Sequence, residues 1–234
     1  MITTNKLSDL SIREDSRVLV IMPHPDDETV FASGLLHTLA RHHVAVRVIT
    51  MTQGEKSTLR HGLPPEADLA EARKQELTWA FHILGVNNFV LLKFPDGGLE
   101  KKAKEIKAVI AREIKSFHAT HVLTLEPDGI YGHPDHVALS AYTTRVTKKP
   151  VSLLYATVSP HHILPSAKHM AKKDKIEPIK PDIKLRLSLS DMAAKLRAFR
   201  AHASQFMSLK TTPRDLLFFF MNELLTHEFY AFGN

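Results

Sequence analysis

The run Val18-Leu19-Val20-Ile21-Met22-Pro23-His24-Pro25-Asp26-Asp27-Glu28 constrains this chain more than any other, because an apolar stretch ends abruptly in a histidine and three acids. Five aliphatic residues without alternation read as a strand buried on both faces, the signature of a parallel sheet. The turn after such a strand emerges at the carboxyl edge of the sheet, where open α/β sheets bind their ligands. Imidazole and carboxylates concentrated there suggest a metal site. The plainer reading is that the acids cap the next helix. It covers one or two of them, but neither His24 nor the prolines Pro23 and Pro25 that stiffen the turn.

The chain continues in alternation. Val30, Phe31, Leu35, Leu36 and Leu39 predict a helix over 28–42, followed by a strand at Val44 to Met51 and a loop over 52–65 at the same sheet edge. A helix over 66–84 is closed by Gly85 and carries Arg73 and Glu76 on or beside its core-facing stripe, where charge is costly unless paired. Asn88 to Phe94 reads as a strand ending in Pro95-Asp96-Gly97-Gly98, with Asp96 either a functional carboxylate or a turn-former. A helix marked by Ile106 and Phe117 leads to a strand at His121 to Leu125. Then come Glu126-Pro127-Asp128-Gly129-Ile130-Tyr131-Gly132-His133-Pro134-Asp135-His136 and a helix over 134–147.

Val151 to Val158 predicts a further strand, and Ser159 to Pro181 an irregular excursion whose His161, His162 and His169 are most simply solvated. Ile183 to Leu189 alternates as an edge strand would. Asp191 to Ala203 reads as a helix capped by Ser190 or Asp191, Thr212-Pro213 opens a short helix, and Glu223 to Phe232 closes the chain as a strand. This rhythm indicates an α/β fold with a mostly parallel β-sheet flanked by helices and an added C-terminal strand. No repeat or linker divides residues 1–234, which read as a single domain.

Composition removes several classes. With no cysteine there is neither a disulfide scaffold nor a thiolate ligand, so any zinc must be held by His, Asp or Glu. The net charge of +6 is not gathered into a stripe: Lys101, Lys102, Lys104 and Lys107 alternate with Glu100, Glu105 and Glu113, which is the pattern of a solvated face rather than of a nucleic-acid interface. Met1 to Arg17 has no apolar h-region and no run is long enough to span a membrane, so the expectation is a soluble, cytoplasmic protein.

Two strand ends thus present turns rich in His and Asp, His24 to Glu28 and His133 to His136, and in a doubly wound sheet such ends can meet over one crevice. A divalent ion with one position left open needs about three protein ligands. Neighbouring Asp26 and Asp27 project differently, so one can ligate while the other accepts a proton from water. Pro134 suits the first helical position, leaving His133 at the mouth and His136 within the first turn. The turn after the first motif strand has no glycine and would repel phosphate, which excludes a dinucleotide site. His-Glu-x-x-His and Gly-x-Ser-x-Gly motifs are absent.

His24-Pro25-Asp26-Asp27-Glu28 followed by His133-Pro134-Asp135-His136 resembles the LmbE-like (PIG-L) family of zinc-dependent N-acetylglucosaminyl deacetylases. The likeness extends to Arg73, Glu76, Leu84-Gly85, Asp96 and His202-Ala203-Ser204-Gln205. The resemblance implies a Rossmann-like fold, zinc held by His24, Asp27 and His136, and Asp26 as general base toward an acetamide. It also implies a protonated His133, hydrogen-bonded to Asp135 or another carboxylate, that stabilises the oxyanion. Tyr131 would close onto the tetrahedral intermediate, Arg73 and Asp96 would contact the sugar, and Glu28 would cap the helix or orient a ligand. The expected substrate is a small N-acetylated amino-sugar derivative. Two nitrogens and a carboxylate also suit iron, cobalt or manganese, and the oligomeric state is left open. Competing readings are an amidase for another acyl-amine or thiol conjugate, and a metal-stabilised carbohydrate-binding protein without turnover. Two departures from the family pattern are Met22, where many members have a small residue, and the 159–181 segment.

Overall fold

The computed structural model describes residues 1–159, 178–206 and 223–233. The short helix expected after Thr212-Pro213 and most of the 159–181 excursion, with its three histidines, lie outside the described residues. The strands are β1 (Ile2–Thr4), β2 (Arg17–Met22), β3 (Ala45–Thr52), β4 (Phe89–Phe94), β5 (His121–Leu125), β6 (Ser152–Thr157), β7 (Ile183–Arg186) and β8 (His227–Phe232). The principal helices are α1 (Asp27–Arg41), α2 (Leu69–Leu84), α3 (Ala103–Ser116), α4 (Pro134–Val146) and α5 (Leu189–Ala201). One sheet runs in the order β1-β7-β8-β6-β5-β2-β3-β4. Its pairings are parallel except for the two made by β8.

The lack of alternation in β2 has a direct cause. Val18, Val20 and Met22 join the core layer formed with Leu35 and Leu36 of α1, Leu77 of α2 and Ala198 of α5, while Leu19 and Ile21 join the opposite layer with Ile106 and Ile110 of α3. All five residues of β2 from Val18 to Met22 are fully buried, and each such aliphatic side chain contributes about 1.5–3 kcal/mol of burial free energy. Met22 is one of them, so its departure from the family pattern is a matter of core packing.

The connectivity fixes where ligands go. From β2 the chain moves outward through β3 to β4, then returns to place β5 on the other flank of β2. The crevice between the carboxyl ends of β2 and β5 is therefore the topological switch point, and it receives both His/Asp turns.

Two expectations about the elements are corrected. The alternating strand at 183–186 is internal, because β1 pairs outside it in parallel register from Ile2↔Ile183 to Thr4↔Leu185. Ile183 and Leu185 are buried while Arg186 is exposed, so the alternation reports one covered face and not an edge position. Three residues in a polar N-terminus are too few to show a period, which hid β1. The cap of α5 is Ser188, whose hydroxyl accepts from the Asp191 amide while the Asp191 carboxylate accepts from the Ser188 amide, a reciprocal capping box. Among the described residues no helix is long and apolar enough to cross a membrane.

Candidate metal centre and active site

The turn after β2 is fastened before it does any chemistry. The Pro23 carbonyl accepts the Thr52 amide at 3.0 Å and its hydroxyl at 3.1 Å, tying the turn to the end of β3. The His24 amide donates to Asp27 Oδ2 at 3.0 Å. Between them Asp26 takes φ 114° and ψ −27°, a conformation that costs a non-glycine residue about 1–3 kcal/mol and tends to persist at functional sites.

Three donor atoms converge. His24 Nδ1 lies 3.3 Å from Asp27 Oδ2 and 3.3 Å from His136 Nε2, and His136 Nε2 lies 3.5 Å from Asp27 Oδ2. For ligand bonds of about 2.0–2.1 Å, the edge of a tetrahedron is about 3.4 Å, so these atoms form one triangular face of such a site. His24, His133 and His136 can also each offer a nitrogen within 4.8 Å of one another. The Asp27 set is tighter and adds the charge a divalent ion needs. Two imidazoles and one carboxylate with a fourth position open suit zinc. The residues present therefore fit the ion.

Behind the triangle, His24 Nε2 faces Asp135 Oδ2 at 3.2 Å and Asp96 Oδ1 at 3.2 Å. Asp135 also accepts the Gly97 and Leu99 amides at 2.7 and 3.0 Å. A carboxylate on the far nitrogen fixes the ring and leaves Nδ1 free to ligate. The charges agree. Burial works against a charged His24, yet Asp135, Asp27 and Asp96 raise its pKa well above the ordinary imidazole value. Burial would raise Asp27, but His136 and His24 hold it well below the carboxylate range. Asp96, opposed by burial and lowered by His24, sits at about 2. Burial drops His136 to about 4. The cluster is arranged to take up positive charge.

Asp26 stands beside the triangle without joining it. Its carboxylate pairs with Arg73 Nη2 at 3.0 Å, and burial, opposed by Arg73 and reinforced by Asp27, lifts its pKa to about 6. Arg73 is itself buried, with Nη1 donating to the Gly54 carbonyl at 2.9 Å and Nη2 to that of Pro25. Both Nη atoms thus donate to the protein beside the cleft that Arg73 helps to line. A Cβ at position 54 would fall 2.0 Å from Arg73 Nη1, and φ there is +66°, so this contact needs glycine.

On the β5 side, Glu126 is fully buried and accepts the amides of Ile130, Asp128 and Ile179. It holds Ile130 at φ 69°, outside the usual range for a β-branched residue, and so sets Tyr131, whose ring centroid is 5.3 Å from that of His136. Burial, with Asp27 and Asp26, raises the phenol's pKa, so Tyr131 keeps its proton. Sequence reasoning passes over Glu126, although an acid directly after a buried strand is the available signal. His133 caps α4, and its Nδ1 accepts the Asp135 amide at 3.3 Å. The carboxylate of Asp135 serves His24 instead, and burial and His24 lower the His133 pKa. The expected carboxylate partner of a protonated His133 is therefore not found among the described residues, and its geometry is that of a neutral ring with Nε2 protonated.

A third element closes the site from the C-terminal side. His202 Nε2 lies 3.0 Å from Glu28 Oε1, both fully buried, while Glu28 Oε2 accepts the Asp26 amide at 3.0 Å. Glu76 accepts the Ser204 amide and hydroxyl, each at 2.7 Å. Beside these groups an open cleft of about 350 Å³ is lined by His24, Asp27 and His136 together with Asp26, Tyr131 and His133. A larger hollow of about 490 Å³ lies at the far end of α1 around Arg41 and Arg186 and shares no lining residue with the cleft.

Residues 19–147 match the PIG-L family, described as GlcNAc-PI de-N-acetylase. A probable N-acetyl-α-D-glucosaminyl L-malate deacetylase 2 of Bacillus anthracis is 28% identical over 210 residues, covering 86% of each chain. A 1D-myo-inositol 2-acetamido-2-deoxy-α-D-glucopyranoside deacetylase of Mycobacterium sp. (strain KMS) is 29% identical over 233 residues, covering 81% of this chain and 74% of that protein. Among solved structures, the zinc-inhibited form of teicoplanin deacetylase Orf2 superposes with a TM-score of 0.71 at 19% identity, covering 93% of this chain and 97% of the other. At that identity the likeness concerns the fold.

Proposed function

The chain belongs to the PIG-L family, and from that premise we propose that it is a zinc-dependent deacetylase, hydrolysing the acetamide of an N-acetylglucosamine-containing small molecule to acetate and a free amine. The observation that carries this reading is the triangle of His24, Asp27 and His136 with Asp26 left unligated at its side. A structural ion would need no such spare base.

Zinc held by the three ligands would supply a Lewis acid for water and for the acetamide carbonyl. The chain's own groups do the rest. Asp26, poised at about 6, is ionised at neutral pH and can take the proton of the attacking water. As the carbonyl carbon becomes tetrahedral, His133 Nε2–H and the Tyr131 hydroxyl donate hydrogen bonds to the developing oxyanion. Asp26 then returns its proton to the nitrogen as the C–N bond breaks, releasing the amine and acetate. Arg73 keeps the Asp26 carboxylate aimed, and Asp96 and Asp135 hold His24 in the ligating tautomer.

The test is acetate release from a panel of N-acetylglucosaminides. Acetate and amine should appear in equal amounts, disappear on chelation and return with added zinc. Turnover indifferent to chelation, or no acetate from any member of the panel, would contradict the proposal.

A further inference from the structure

The loop after β3 is pinned residue by residue beside the site. Gly54 receives Arg73 on its carbonyl and gives its amide to Thr52 Oγ1. Glu55 Oε1 accepts the Asp96 amide at 3.0 Å, the Lys56 amide returns to Asp96 Oδ2 at 2.8 Å, and Ser57 Oγ donates to Gln205 Oε1 at 2.8 Å. Among the described residues, the side chain of Lys56 has no hydrogen-bond or ion-pair partner. It is nevertheless placed: its Cδ and Nζ lie 3.9 and 3.8 Å from where a Cβ on Gly97 would stand, so it runs over the Pro95–Gly98 turn and lines the cleft.

The other charged groups of the cleft are committed. Arg73 serves Pro25, Gly54 and Asp26; Asp27 serves His24 and His136; Asp96 serves His24 and the Lys56 amide. A neutral sugar and its acetamide give a lone ammonium nothing to neutralise. A lysine ammonium is a compact point charge suited to carboxylate or phosphate oxygens, and this one stands on a built rim beside the reacting centre. The geometry points to Lys56 as a specificity determinant that selects substrates whose aglycone is anionic, carrying a carboxylate or phosphate next to the sugar. This assignment rests on the deacetylase reading of the site.

The test uses N-acetylglucosaminides of a hydroxy acid as free acid and as methyl ester, with a phosphorylated aglycone and its methylated form as a second pair. The wild-type enzyme should favour the anionic member of at least one pair in kcat/KM, and the pair showing the larger preference identifies the acid. Lys56→Met should cut that preference about tenfold, Lys56→Glu should reverse it, and Lys56→Arg should keep it. The difference should lie in KM and shrink as salt is raised, because exposed charges are screened. An anionic-to-neutral ratio indifferent to all three substitutions overturns the inference while leaving the deacetylase reading standing, even if Lys56 alters inhibition by the acetate product. Acetate release from neither member of either pair, while other N-acetylglucosaminides are turned over, would overturn the inference alone; release from none of these and none of the wider panel would overturn both.

Discussion

Glu28 illustrates how far one residue's role depends on contacts remote in sequence. Its place after the motif strand suggests a helix cap or support for a ligand, but its two oxygens connect His202 to the amide of Asp26. Asp26 is thereby linked, in its positive-φ conformation, to a histidine 174 positions from Glu28. His202→Ala should lower kcat roughly ten- to a hundredfold through misplacement of Asp26 while zinc content is retained. His202→Gln, whose amide can still donate to Glu28, should recover part of the loss. Steady-state kinetics with metal analysis checks this, and wild-type kcat in His202→Ala would refute it. Asp135 carries the same lesson. It stands two positions from His133 in sequence, its carboxylate's partner in space is His24, and only the packing of β5 against β2 decides between them.

Individual elements bring these residues together through buried polar fastenings as well as apolar packing. Glu228 of β8 accepts the Gly34 and Leu35 amides of α1 at 2.8 Å each, Lys195 Nζ at 2.7 Å and the Tyr230 hydroxyl at 2.7 Å. Lys195 Nζ also donates to the Val30 carbonyl. This locks the helix that begins at Asp27 against the C-terminal strand. At the start of α5, burial would raise the Asp191 pKa, but Ser188, His37 and Arg41 hold it below the ordinary value. A depressed carboxyl stabilises the fold above its unfolded pKa of about 3.9 and loses that contribution as pH falls through the lower folded value. Asp191→Asn should therefore cost about 1 kcal/mol at pH 7, and the gap from wild type should narrow below pH 4. Urea unfolding at both pH values measures it, and a gap that stays constant or widens in acid would be inconsistent with the capping role.

At the scale of the whole molecule, much of the design is legible along the chain because period and edge chemistry are local. The unbroken β2 run reports a doubly covered strand, and two strand-end turns with ligand-type residues report a crevice between them. His24, Asp27 and His136 do converge, with Asp26 beside them. What local pattern does not carry is which partner each polar group chooses. Arg73 turns to Asp26, Asp135 to His24, and Glu126 to the backbone of the Tyr131 turn. These choices depend on the order of strands in the sheet, and β1, whose three residues stand outside β7 at one end of the sheet among the described residues, shows that very short elements leave no period to read.

The central claim is that three residues hold the ion while a fourth, unligated carboxylate moves the proton. Zinc content and acetate release measured together on Asp26→Asn test it most directly. Zinc should be retained at the wild-type level with turnover reduced by roughly 10²–10⁴-fold; undiminished acetate release from the zinc-loaded variant would contradict it.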